Sequence, residues 1–298
     1  KNKKIRIGTD CSGIEAPIMA LKQLKIPFSH EFSSEIDEHC ILSIKKNYNP
    51  KIIFSDIQNR NMKDVPDIDL YICGFPCQSF SLAGKRNGIN DKKGIIFYDC
   101  LELIKKKKPN YFILENVAGL LTINEGKTFT SIIELLKKMK IYNVEWKILN
   151  TKDYGIPQNR QRVFVIGIKK SLNKKIDWPK KKKMDSLEKY VDWKDIKKDV
   201  LTERYKKHLE IVNPNSYFIN LSFNNYNHPN SDKYCPCLVT TNQLLNYKLY
   251  RFANVKEYLL LQGFPISFKQ VVSDFQLKKQ IGNSISVNVL KEIFKCIL

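Results

Sequence analysis

The chain has 298 residues, 43% of them apolar, which suits one large domain or a large domain with a small one and excludes a disordered tail. It holds no run of eighteen apolar residues, and its N-terminal KNKKIRIGTD lacks an apolar signal segment, so no membrane span is expected and a cytoplasmic protein is. Against 30 Asp and Glu stand 51 Lys and Arg, a formal charge of +21 that points to a polyanionic partner, although abundant Lys, Asn, Ile and Tyr also look like the mark of AT-rich coding.

Through the first 170 residues, short apolar runs alternate with amphipathic stretches. Strands are predicted at 5–9, 28–34, 51–55, 70–75, 111–116, 145–150 and 162–168, and helices at 14–25, 37–47, 96–108 and 128–139. This alternation predicts an α/β fold with a mostly parallel sheet covered on both faces. Lysines then crowd residues 169–183 around the single acid Asp177, and the chain stays rich in Asn, Lys, Tyr and Pro to about residue 250. A linker and a small, irregular second domain are read there. A last amphipathic helix is predicted over residues 286–296.

In doubly wound sheets, ligands bind at the carboxyl ends of the strands. The first strand ends in TDCSGIEAP, where Gly13 permits close backbone approach and Pro17 falls in the first helical turn. The second ends in SSEID, with Glu35 placed to hold a ribose diol, and the third in FSDI, with Asp56 placed to accept from an adenine amino group. Without a G-x-G-x-x-G, these ends suit an adenosine-bearing cofactor that has no pyrophosphate.

Eight cysteines (11, 40, 73, 77, 100, 235, 237 and 296) follow no disulfide framework and are read as free thiols. Cys235 and Cys237, with His228 nearby, fit no structural zinc spacing, so no metal is expected. In ICGFPCQSFSLA, residues 72–83, Cys77 follows a proline at the tip of a strand. A lone cysteine is usually a small buried hydrophobe. This one has companions: Glu115-Asn116-Val117, the series Gln158, Arg160, Arg162, then Leu261-Gln262-Gly263-Phe264-Pro265, and Gly282-Asn283-Ser284.

PCQ, ENV, Q-x-R-x-R, LQGFP and GNS in this order form a highly specific set, and the chain resembles the cytosine-5 DNA methyltransferases of bacterial and viral type over nearly all its length except about residues 172–235. The resemblance implies a Rossmann-like S-adenosylmethionine-dependent methyltransferase sheet with a second, smaller target-recognition domain. Residues 1–171 and 272–298 would form the catalytic and cofactor-binding domain, and 172–271 the target-recognition domain and hinge. Carbon 5 of cytosine is a poor nucleophile. A thiolate added at carbon 6 pushes electron density onto carbon 5, which takes the methyl group and leaves S-adenosyl-L-homocysteine. Such a base must be flipped out of the duplex.

Carried over by this resemblance, Cys77 is the nucleophile and Glu115 meets ring nitrogen 3 and the amino group, while Arg162 and Arg160 orient the base and stabilise negative charge. Asn116 and Val117 hold that site together. For S-adenosyl-L-methionine, Cys11 and Gly13 would contribute backbone, Glu35 the ribose contact, and Ile36 the adenine face. Asp56 and Ile57 would meet the adenine edge, Ile96 and the Asn283-Ser284 pair would close the pocket, and Phe75 would stand where methyl donor and catalytic loop meet. The implied partner is a specific double-stranded DNA sequence read by a monomer, with a cognate restriction enzyme acting separately and no membrane.

The chain departs from the family pattern in places. The first motif, usually Asp-x-Phe-x-Gly-x-Gly-Gly, carries Thr9 for its acid, Cys11 for its aromatic residue, and Glu15 and Ala16 for its trailing glycines. The Arg-Gly after the catalytic loop is Lys93-Gly94, and Arg-x-Leu-Thr before LQGFP becomes Arg251-Phe252-Ala253-Asn254. Two other readings remain: a transfer-RNA cytosine-5 methyltransferase, disfavoured because FPCQSFS differs from the PPCQPFT of that branch, and a catalytically inactive DNA-binding relative, disfavoured by intact Cys77, Glu115 and Arg162.

Overall fold

Seven strands build the main sheet: β1 (Ile5–Asp10), β2 (Phe28–Ser34), β3 (Ile52–Phe54), β4 (Leu70–Cys73), β5 (Tyr111–Val117), β6 (Tyr142–Asn150) and β7 (Gln161–Lys169). Their spatial order in this computed structural model is β3-β2-β1-β4-β5-β7-β6. The structure describes residues 4–76, 96–221, 232–241 and 243–298, so Cys77, the Lys93-Gly94 pair and His228 lie outside the described residues. β1 pairs in parallel with β2 and β4, β2 with β3, and β4 with β5, whereas β7 returns antiparallel to β5. All residues of β4 and the middle of β5 are buried, as expected of strands covered on both faces. The sheet is the α/β arrangement that the alternation predicts.

Helices α1 (Ala16–Leu24), α2 (Glu38–Asn47), α3 (Ile96–Lys107) and α4 (Lys127–Lys138) match the predicted amphipathic stretches. The carboxylate of Asp37 starts α2 by accepting from the His39 and Cys40 amides. β6 begins at Tyr142, earlier than its apolar run implies, because buried Tyr142 and Val144 alternate with an exposed Asn143. Phe97, Leu101 and Ile104 of α3 and Phe129, Ile132 and Leu136 of α4 pack with Tyr71, Phe112 and Leu114 into the principal core.

The described chain divides into two compact units, the first being Lys1–Leu149, Gln161–Pro179 and Lys291–Leu298, the second Asn150–Arg160 and Lys180–Leu290. In the second unit, β8 (Phe218–Asn220), β9 (Leu244–Asn246) and β10 (Arg251–Phe252) form a small antiparallel sheet in the order β10-β9-β8. Helices α5 (Glu203–Leu209), α6 (Val255–Gln262) and α7 (Asp274–Asn283) accompany it, and α8 (Val287–Ile297) closes the chain. Among the described residues, no helix is long and apolar enough to cross a membrane, and no group of three or more His, Cys, Asp or Glu could hold a metal ion.

The variant Arg251-Phe252-Ala253-Asn254 segment acquires a role here. Asn254 caps α6 through a reciprocal box: its side chain accepts from the Glu257 amide, and the Glu257 carboxylate accepts from the Asn254 amide. Glu257 is fully buried and also receives two bonds of 2.9 Å from the Arg251 guanidinium and one of 2.7 Å from Asn246 Nδ2. Asn254, standing where the usual pattern has Thr, therefore serves as the cap of α6. Breaking a buried ion pair from one side leaves an uncompensated charge, so Arg251→Met is expected to cost about 3–5 kcal/mol. Asn254→Ala is expected to cost only about 1 kcal/mol, and urea unfolding of both variants checks the ranking.

Candidate active site

Because β1 to β5 run parallel, their carboxyl ends share one edge of the sheet, and the chain order turns outward from β1 in both directions. On that edge β1 delivers Asp10-Cys11-Ser12-Gly13, β2 delivers Glu35, and β4 delivers Gly74-Phe75-Pro76. Cys11 and Gly13 both take left-handed backbone, with φ of 49° and 53°. For the non-glycine Cys11 this is a strained conformation, of order 1–2 kcal/mol, of the kind found at ligand-holding turns.

Glu35 grips this turn. Its Oε2 accepts from the Gly13 amide at 2.7 Å, and its Oε1 from the Ile36 and Asp37 amides at 3.0 Å each. Burial pushes the Glu35 pKa up and these amides pull it back, with the balance above the ordinary carboxylate value. A carboxylate offers about four acceptor positions, so with three amides bound Oε2 keeps one for a hydroxyl. Asp56 Oδ1 accepts from the Gln58 amide at 2.8 Å and Oδ2 from Asn59 Nδ2 at 2.5 Å, again leaving acceptor capacity on each oxygen. Ile36 is 75% exposed, presenting a bare apolar surface beside Glu35, whereas Ile57 is buried in the core. Ile96 packs at the margin of the same core, and the buried Phe75 lies 5.8 Å from the Phe97 ring.

The altered first motif is internally compensated. Glu15, standing where a glycine is usual, has φ of 60° and a fully buried carboxylate. Its Oε1 accepts from Thr9 Oγ1 at 2.6 Å and Ser33 Oγ at 2.5 Å, with His30 Nε2 at 3.2 Å. The carboxylate missing at position 9 thus returns to the Thr9 hydroxyl from position 15. Three thiols also meet at this edge: Cys100 Sγ lies 3.4 Å from Cys73 Sγ, and Cys11 hydrogen-bonds Cys73. Burial holds the Cys73 thiol well above its usual pKa, and for Cys11 the Cys73 bond lowers the value, but burial together with the neighbouring Cys100, Asp10 and Glu35 leaves it raised. Neutral thiols of this kind are poor nucleophiles.

Glu115 and Arg162 come together across the antiparallel β5–β7 pair. Glu115 stands opposite Phe164 and Val117 opposite Arg162, which places the acid and the arginine diagonally on one face with Arg162 Nε 3.3 Å from Glu115 Oε1. Asn116 faces the other way. Its Nδ2 donates to the Phe75 carbonyl at 2.8 Å, fixing the backbone just ahead of position 77.

Arg160 is used differently from its sequence-based place beside the base. Only 2% exposed, it donates to the carbonyls of Leu238 at 2.9 Å, Gly282 at 3.1 Å and Ser284 at 2.8 Å, all within the second unit. Gln158 joins the same stitch, giving Nε2 to the Leu261 carbonyl and to Gln262 Oε1, while Gln262 Nε2 donates to the Ser284 carbonyl. The glycine of GNS is required by this packing, since a Cβ on Gly282 would lie 2.7 Å from the Val239 carbonyl oxygen. Ser284 is buried and turns its hydroxyl to the Ile285 carbonyl, whereas Asn283 is exposed. Sequence reasoning overlooked Asp10, Glu15 and Arg60 as builders of this edge; only the misplaced acid at position 15 gave a signal.

The fold and this edge define a doubly wound α/β protein whose strand ends carry a set of acids and a paired carboxylate and guanidinium. Residues 9–298 match the family described as C-5 cytosine-specific DNA methylase, and the chain belongs to that family. It is 33% identical to the type II methyltransferase M.DsaV of Dactylococcopsis salina over 91% of this chain and 81% of that one. It is 45% identical to M.NlaIV of Neisseria lactamica over 47% of this chain, which spans 34% of that relative. The fold matches the S. pombe Dnmt2 methyltransferase with a TM-score of 0.71 at 19% identity, covering 99% of this chain and 98% of the other.

Two arginines two positions apart should therefore fail differently. Arg160→Met removes donors from three buried carbonyls and is expected to cost about 3 kcal/mol in urea unfolding. Arg162→Met takes the guanidinium away from the largely buried Glu115 and is expected to cost a comparable amount, about 3 kcal/mol, but unlike Arg160→Met it also lowers methyl transfer by the folded enzyme by about a hundredfold or more.

Proposed function

We propose that the chain methylates carbon 5 of a flipped-out cytosine within a specific duplex DNA sequence, using S-adenosyl-L-methionine and Cys77. The observation that carries this reading is the Glu115–Arg162 pair at the edge into which the segment before Cys77 is tied by Asn116. When bound, S-adenosylmethionine supplies an electrophilic methyl group. The donor set suits it: Glu35 retains an acceptor for a ribose hydroxyl, Asp56 retains acceptors for an amino group, and exposed Ile36 offers a surface for a purine ring. Cys11, Gly13, Ile57, Phe75 and Ile96 frame that cradle, and Asn283 and Ser284 are the remaining members of the set.

On the DNA side, the Cys77 thiolate forms a bond to carbon 6, and the Glu115 carboxyl, in its protonated form, donates to nitrogen 3 and so offsets the electron density driven onto the ring. Arg162 holds the Glu115 carboxyl in place and offers positive charge to the base. After carbon 5 is methylated it loses its proton to a base, the carbon 6–sulfur bond breaks, and Cys77 is regenerated. Arg160 serves this reading as a clamp within the second unit. Residues 172–271, basic and rich in Asn and Tyr, are assigned to target recognition, where phosphate contacts position and base contacts specify. Action in the cytoplasm as a monomer alongside a separate endonuclease completes the proposal.

Methyl transfer from labelled S-adenosylmethionine to duplex DNA and to transfer RNA, run in parallel with Cys77→Ser, tests it. Label in DNA that disappears in the variant is expected; label confined to RNA would overturn the substrate, and no label in either would overturn the activity. A pH series adds a second check. Since the Glu35 pKa is raised, the carboxylate that accepts from ribose is lost at a higher pH than for an exposed glutamate as the solution is acidified. Affinity for S-adenosylmethionine is therefore expected to weaken on acidification through that region, and Glu35→Gln is expected to flatten the profile at a lower affinity.

A further inference from the structure

Arg60 belongs to none of the motifs that carry the family resemblance, yet its side chain is only 2% exposed and faces a fully buried Asp10. The two form a bidentate pair, Arg60 Nη1 to Asp10 Oδ1 at 2.5 Å and Nη2 to Oδ2 at 2.7 Å, and the Tyr71 hydroxyl donates to the same Oδ2 at 2.6 Å. The guanidinium also lies over two rings, 5.3 Å from the centroid of Phe32 and 5.5 Å from that of Phe54. Burial works against the charge on Arg60, and Asp10 more than restores it. Asp99 on α3 also faces this charge, with Glu102, Asp10 and Asp56 as its acidic neighbours.

A buried ion pair adds little net stability over apolar residues of the same volume, so stability alone gives weak reason for one here. What a bidentate pair supplies is direction, because two parallel bonds fix the angle between the segments they join. Here one segment is the loop after β3 that holds Asp56 and Ile57, and the other is the end of β1 immediately before Cys11 and Gly13. Tyr71 extends the join to β4, which runs on to Phe75. The pair thus links three separate pieces of the cradle assigned above, without a side chain of its own in it.

We infer that Arg60 is a positioning residue for the cofactor, holding the Asp56–Ile57 loop to the Cys11–Gly13 turn through its bidentate pair with Asp10. This rests on the reading of that edge as the S-adenosylmethionine cradle. Affinity for the cofactor, more than turnover or DNA binding, then depends on Arg60.

The test compares the full-length wild type with Arg60→Lys and with the double variant Arg60→Met, Asp10→Asn, which removes both charges and keeps an acceptor for Tyr71. Calorimetric titration with S-adenosylmethionine, fluorescence anisotropy on duplex DNA, steady-state kinetics and thermal melting are measured on each. The double variant is expected to bind S-adenosylmethionine about tenfold or more weakly, with KM for it rising in step, while kcat and DNA affinity stay within about threefold. Arg60→Lys, which keeps charge without the fork, is expected to fall between the two. Unchanged cofactor affinity in a double variant that merely melts earlier would overturn the inference and leave a structural role, as would a parallel loss of cofactor and DNA binding. A wild type that fails to bind S-adenosylmethionine would overturn the cofactor reading itself, and the inference with it.

Discussion

Strand polarity is the constraint on which the rest depends. Five consecutive parallel strands cannot be joined by tight hairpins, so each connection crosses over, and every strand delivers its following loop to the same edge. Residues as distant in sequence as Cys11, Glu35, Asp56 and Phe75 are thereby brought to one line of turns. β7 breaks the rule by returning antiparallel to β5. That reversal sets Arg162, at the start of one strand, beside Glu115, near the end of another. A parallel neighbour would have put its own start at the opposite edge. The juxtaposition of acid and guanidinium is thus a consequence of topology before it is one of side-chain chemistry.

An edge built this way concentrates buried acids, and each needs an answer in hydrogen bonds or charge. Asp10 has an arginine and a tyrosine hydroxyl; Glu15 has two hydroxyls and a histidine; Glu35 has three backbone amides. The three solutions differ in what they leave free. Asp10 and Glu15 turn inward and brace the first turn from below. Glu35, satisfied mainly by amides of the turn itself, keeps an oxygen with acceptor capacity at the surface of that turn. Acids that look alike in sequence thereby differ in whether they brace the turn or keep an open acceptor upon it.

The sheet was legible because buried parallel strands leave continuous apolar runs and amphipathic helices leave three- and four-residue spacing, both local signals. Glu115 and Arg162 were legible through their motifs, and the structure adds the diagonal register that joins them. Arg60 was not legible. An arginine in the polar stretch SDIQNR looks like any solvated loop residue, and its burial follows only from Phe32, Phe54 and Asp10, which lie on other strands. Arg251 was likewise opaque until Glu257 stood in the first turn of α6. The irregular second unit gave weak signals because its strands have only two or three residues, too short for a period to show.

The motifs also divide by physical kind. Gln158, Arg160, Gln262 and Gly282 act on backbone: three donate to carbonyls and the fourth is small enough to let a carbonyl approach. Such groups tolerate little change because a buried carbonyl without a donor costs as much as a lost core contact. A sequence signature assembled from them reports that the frame is intact, whatever reaction the frame supports. Glu115 and Arg162 are of the other kind, since they form a largely buried ion pair, from which a folded protein gains little net stability over apolar residues of the same volume. The proposed chemistry therefore rests on that pair, and on Cys77 by its place in the chain, while the stitched residues hold the second unit in one form.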